Sequence, residues 1–100
     1  MISWSEAASR IGQTATVEGP VISADHIDGP GSPLLLSVGL AAPDSSRFLI
    51  VVPAAVRREF AQSPDVLYVG RLVRVVGKIE QYRGLAAITI RSPKAVGTAQ

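Results

Sequence analysis

The chain has 100 residues, with ten Lys and Arg against eight Asp and Glu, one His, no Cys, 47% apolar residues and 5% aromatic ones. One domain with one core is expected at this length, and dense branched aliphatics at a formal charge of +2 exclude a chain disordered over most of its length. No apolar run approaches the ~20 residues of a membrane-spanning helix, and a chain without Cys forms no disulfide, thiolate metal site or thiol nucleophile. So mild a charge implies no massive electrostatic capture of nucleic acid or membrane. Met1-Ile2-Ser3-Trp4 sets no basic segment ahead of an apolar one, so no signal peptide is expected, and the expected location is cytoplasmic.

Ser3-Trp4-Ser5-Glu6 spells a capping box, with the Ser3 hydroxyl accepting from the amide three residues on and Glu6 reaching back. Trp4, Ala8 and Ile11 then share one face of a short helix, and Gly12 supplies a left-handed stop. From Thr14 the period becomes two. Ala15, Val17, Gly19 and Val21 alternate with Thr14, Thr16 and Glu18, which predicts a half-buried first strand.

Asp25 to Pro33 is rich in turn residues, Leu34 to Val38 reads as a second strand, and Ala42 to Ser46 closes it. Phe48 to Val52 is a third strand, apolar on both faces. Pro53 opens a helix over Ala54 to Gln62, with Val56 and Phe60 inward and Arg57, Arg58 and Glu59 toward water. Leu72 to Glu80 and Leu85 to Arg91 are the fourth and fifth strands, joined around Gln81-Tyr82-Arg83-Gly84. The domain is expected to span residues 1–95. Val96 to Gln100 carry no packing pattern and are expected to fray.

The chain also echoes itself. Ile11-Gly12-Gln13-Thr14-Ala15-Thr16-Val17-Glu18-Gly19 matches Val69-Gly70-Arg71-Leu72-Val73-Arg74-Val75-Val76-Gly77 at a constant offset of 58 residues. Each copy enters a strand from one glycine and meets a second glycine inside it. A glycine within a strand marks a bulge, a bend or a close backbone approach, and a small closed barrel needs such bends.

Helix, strand, strand, strand, helix, strand, strand is the order of the OB-fold. The stretch from Tyr68 through Pro93, with Val73-Arg74-Val75-Val76-Gly77-Lys78-Ile79, Tyr82-Arg83-Gly84 and Ile88-Thr89-Ile90, resembles the closing strands of OB-fold nucleic-acid-binding modules. The opening Ser3-Trp4-Ser5-Glu6-Ala7 and Gly12 are similar to small bacterial members of that superfamily, and the resemblance covers residues 2 to 95. It implies a mainly β, five-stranded Greek-key barrel with a short N-terminal helix and a helix between strands three and four. It also implies a ligand face on strands two and three, framed by Ala24 to Pro33 and Gln81 to Gly84.

The reading that follows is a non-catalytic module, without cofactor or metal, that binds single-stranded DNA or RNA and no membrane. Arg71, Arg74, Lys78 and Arg91 are the expected phosphate contacts, and Tyr82 with Arg83 the expected stacking pair at a hairpin tip. If Phe48, Ile50 and Val52 are buried, the outer face presents Arg47, Leu49 and Val51. The opposite orientation exposes Phe48 for stacking. The alternative is a protein-interaction or self-association module that uses exposed Leu35, Leu49 and Val51. Asp25-His26-Ile27-Asp28 lacks the further ligands of a metal site, and the single His has no nucleophile to serve.

Overall fold

The computed structural model describes residues 1–27, 33–40 and 46–99. Asp28, most of the two expected loops and Gln100 therefore lie outside the described residues. The elements are β1 (Ile2–Ser3), a 3₁₀ helix (Trp4–Arg10), β2 (Thr14–His26), β3 (Leu34–Val38), β4 (Phe48–Val52), α1 (Ala54–Arg57) and α2 (Pro64–Tyr68). They continue with β5 (Leu72–Lys78), β6 (Glu80–Tyr82), β7 (Leu85–Thr89), a second 3₁₀ helix (Pro93–Ala95) and β8 (Val96–Thr98). The strands hydrogen-bond in the order β6-β7-β4-β3-β2-β5-β8, with β1 on β2. Among the described residues only the β4–β7 and β1–β2 pairings are parallel.

The internal echo is a pairing of the chain with itself. Thr14–Pro20 runs antiparallel to Leu72–Lys78, with Val17 opposite Val75, Ala15 opposite Gly77 and Gly19 opposite Val73. A local two-fold axis through Val17 and Val75 thus exchanges the copies, and the flanking hydrogen bonds obey it. Gly12 N donates to Ile79 O at 2.7 Å, and Gly70 N to Val21 O at 2.8 Å. Ile79 N donates to Gln13 O at 2.8 Å, and Val21 N to Arg71 O at 2.9 Å. Before each strand, Gln13 N donates to Arg10 O and Arg71 N to Tyr68 O, which closes the preceding helix. Gly12 (φ +94°) and Gly70 (φ +87°) turn each chain segment in a left-handed conformation that other residues reach only at a cost.

Gly19 and Gly77 lie inside strands as expected, and both make close approaches. A Cβ on Gly19 would sit 2.6 Å from Val38 Cγ1 and 2.7 Å from Trp4 Cδ1. One on Gly77 would sit 2.7 Å from Ile88 Cγ2. Around them Val17, Val75, Ile79, Ile88 and Ile90 share one core with Phe48, Ile50 and Val52. Opposite this core, Leu35, Leu49, Val51 and Ala87 form a second buried cluster against Ile27, Tyr82 and Leu85.

Several expectations change. The capping box is present, with Glu6 accepting from Ser3 N, but the helix it starts is 3₁₀. Three residues per turn align Trp4 with Ala7, so Ala7 is buried while Ala8 and Ile11 are exposed. β2 continues to His26, through what reads as the start of a loop. The helix after Pro53 stops at Arg57, and a second begins at Pro64, whose missing amide suits a first helical turn. The fourth strand breaks at Ile79 and resumes as β6, and the fifth ends at Thr89. Residues 96–98 do not fray: they pair with Val73–Val75, and Val96 is buried under the Tyr68 hydroxyl, which donates to its carbonyl at 3.5 Å.

Phe48 is 1% exposed and faces the main core, so it offers no ring for stacking. Leu35, Leu49 and Val51 are 5%, 1% and 4% exposed. They are not the open aliphatic face on which self-association was expected to rest.

Gly77→Val should lower unfolding stability by about 1–3 kcal/mol, since the new side chain overlaps Ile88. Gly97→Ala meets nothing within 4 Å and should stay within about 0.5 kcal/mol of the parent. Urea denaturation of the two variants tests both, and equal midpoints would show that the Gly77 approach does not matter.

Candidate functional site

Beyond its bulge between Val21 and Ser23, β2 leaves β5 and pairs with β3, which carries Asp25 and His26 out past the core. The β6–β7 hairpin reaches the same region. Tyr82 pairs with Leu85 across a two-residue turn in which Arg83 (φ +52°) and Gly84 (φ +81°) are both left-handed, as the twist of a tight hairpin demands. Between these elements a groove of about 510 Å³ is lined by Asp25, His26, Ile27, Leu35, Arg47, Leu49, Arg83 and Leu85. Its floor is aliphatic and its polar groups stand at the rim.

Three of the rim groups, Arg47, Arg83 and His26, are held. Arg47 Nε donates to Ser37 Oγ at 3.2 Å, which partners a hydroxyl on a fully buried residue. The Arg83 guanidinium lies 5.5 Å from the centre of the Tyr82 ring, within cation–π range. Arg57 donates to His26 Nδ1 at 2.9 Å, so the neutral imidazole keeps its proton on Nε2. That nitrogen stands 3.9 Å from the Asp65 carboxylate. Arg57, expected to face water, thus ties the end of β2 to the helices between β4 and β5.

The Asp65 carboxyl titrates below its ordinary value of 3.8, chiefly because the Ser63 hydroxyl donates to it, with smaller help from backbone amides and His26 and against a desolvation penalty. Burial pushes the Tyr68 hydroxyl up.

The eight expected site residues fall in four places. Arg83 and Arg47 line this groove, Tyr82 packs on the cluster beneath it without lining it, and Phe48 points away into the main core. Arg74 is paired with Glu18 at 2.8 Å on the β2–β5 face, and Arg71 is exposed beside Gly70. Lys78 and Arg91 line a separate groove of about 310 Å³ between β5 and β7. In the sequence Asp25 and His26 read only as an incomplete metal or acid–base pair, and nothing there connects His26 to Arg57 and Asp65.

A carboxyl whose titration is depressed by folding stabilises the fold above its unfolded value, and that contribution fades as pH falls through the folded one. Acidification below about pH 4 should therefore cost the parent more stability than it costs Asp65→Asn. Thermal melts of both proteins between pH 2.5 and 6 measure this, and parallel curves would remove the Ser63–Asp65 contribution.

No family model and no curated protein matches the sequence. Among solved structures, one from Leishmania major Friedlin, described as an aspartyl-tRNA synthetase, superposes with a TM-score of 0.58 at 9% identity, over 100% of this chain. This chain spans only 21% of that one. A second, from Klebsiella pneumoniae subsp. pneumoniae MGH 78578 and described as a nucleic acid-binding lipoprotein, superposes with a TM-score of 0.54 at 11% identity. That match covers 97% of this chain and 78% of the other. At such identities the likeness is one of fold: a mainly β chain built like these two.

Proposed function

We propose that the chain is an OB-type module that binds single-stranded nucleic acid, without catalysis, in the groove between the end of β2 and the β6–β7 hairpin. The strand pairings support the OB reading. β2, β3 and β4 form a meander, β7 lies parallel on β4, and β5 returns to β2. Taken with Ile79 as one bent strand, β5 and β6 would link β2 to β7, an arrangement that fits a five-stranded OB barrel.

One observation carries the functional half. Two anchored guanidiniums, Arg47 and Arg83, stand at an aliphatic groove beside Tyr82, on the face and between the loops where OB modules hold ligands. A flexible anionic chain with flat bases suits that surface. The arginines meet phosphates, a base lies against the apolar floor and the Tyr82 ring, and Asp25 accepts from an exocyclic amino group. The likeness to a protein described as nucleic acid-binding agrees. With no aromatic ring among the lining residues and Tyr82 only beside the groove, affinity is expected to be micromolar or poorer.

Fluorescence anisotropy of labelled ten-nucleotide strands across a salt series tests the proposal. Arg83→Ala should weaken every sequence alike and reduce the salt slope by about 0.7. Tyr82→Ala should cost about 1–3 kcal/mol of binding with the slope nearly unchanged. Arg74→Ala, already neutralised by Glu18, should change little. Failure of both single-stranded DNA and RNA to bind at low salt would overturn the proposal.

A further inference from the structure

The two-fold relation between the echoed segments sets two equivalent places side by side, and the chain treats them differently. In the first copy Gly19 packs on Val38, and the Trp4 indole lies against both Gly19 and the next residue after Val38, Gly39. Gly19 is buried as a result. In the second copy Ile88 stands to Gly77 as Val38 stands to Gly19, at nearly the same approach. Nothing but Ile88 comes within 4 Å of a Cβ built there, and Gly77 stays half-exposed. Where the indole lies in the first copy, the second has the groove of about 310 Å³, lined by Gly77 and by Thr89, the residue after Ile88. No aromatic side chain lines it.

This groove is also charged. Lys78 stands on one wall and Arg91 on the other, and among the described residues neither is in an ion pair, unlike Arg74. Glu80 is the only acid among the lining residues, and Val76 and Ala95 add apolar surface. We infer that the β5–β7 groove is a second binding site, and that it takes a nucleotide. The base lies against Gly77 and Thr89 as the indole of Trp4 lies against Gly19 and Gly39, and the phosphate bridges Lys78 and Arg91. Glu80 disfavours an anion alone and accepts from an amino group on the ring, so both parts of the ligand are required. A volume near 300 Å³ is at the lower end for small-ligand sites and suits one nucleotide unit. The inference concerns a different groove from the one at Arg83 and is tested separately from it.

The full chain, labelled with ¹⁵N, is titrated with adenosine 5′-monophosphate while backbone amide shifts are followed. Shifts are expected at residues 76–78 and 89–92, and not at 83–85. Lys78→Ala and Arg91→Ala, both at exposed positions, should each weaken this binding at least ~5-fold. Adenosine alone and inorganic phosphate alone should be much weaker than the nucleotide. Thr89→Trp, which supplies a tethered indole, should abolish the shifts. If that variant misfolds, the two cation variants still decide.

A ten-nucleotide strand that moves the same amides would identify the source as a strand, and a response to the free nucleotide alone would identify a free nucleotide. Either supports the site. No shift at millimolar nucleotide, equal shifts with phosphate alone, or shifts produced only by a short Trp-Asp peptide would overturn it. If strands do not bind the parent at the groove of Arg83 while these nucleotide shifts persist, the proposed function is refuted and this site stands.

Discussion

The antiparallel ladder between Thr14–Pro20 and Leu72–Lys78 is the constraint on which the other elements rest. It brings together two segments from opposite ends of the chain, and beyond it each strand passes to a different neighbour. β2 goes on to β3 after its bulge, and β5 goes on through Ile79 to β6 and so to β7. A sheet can curl round a small core only if its strands bend, and here the bends come as a symmetric pair. Gly19 and Gly77 let the neighbouring aliphatic side chains of Val38 and Ile88 close over the backbone.

The proposed function rests on where those strands end. The extension of β2 and the β6–β7 hairpin both overhang the outer face of β3 and β4, whose side chains Leu35, Leu49 and Val51 are already buried. The groove therefore has a fixed floor, and its charged groups are held from below or behind by Ser37, Tyr82 and Arg57. A surface that is ordered before its ligand arrives loses less entropy on binding. For the proposed ligand, that compensates in part for a groove with no aromatic ring among its lining residues.

Much of this was legible in the residues. The period of two through Val17, Gly19 and Val21 located the first strand, and the repeated Gly-to-Gly spacing located the two symmetric close approaches before any pairing was known. The orientation of the third strand was not legible, because Phe48 to Val52 is apolar on both faces and both faces are in fact buried. Burial of the outer set depends on what lies across the sheet, which no local pattern encodes. The 3₁₀ character of the first helix was hidden for a related reason: Trp4 and Ala8 suit an α-helical face as well as Trp4 and Ala7 suit a tighter one. The second helix had a readable start in Pro64 and Asp65, and Lys78 and Arg91 were readable as charges. Their separation from Arg83 into another groove was not, since it depends on β5 and β7 diverging after Gly77 and Ile88 meet.

The central ladder also has a kinetic side. Pairs across β3 and β4 are 10 to 18 residues apart in the chain, so that hairpin can close early. The β2–β5 pairs are 52 to 64 residues apart, and their closure entropy must be met before any of the symmetric contacts reward it. Until then the outer edges of β3, β4 and β7 have a partial core, and both long strands expose unpaired backbone. Refolding of this small chain should accordingly run on the slow scale of non-local β proteins, in milliseconds to seconds. Its rate would be governed by how often the chain brings Val17 to Val75.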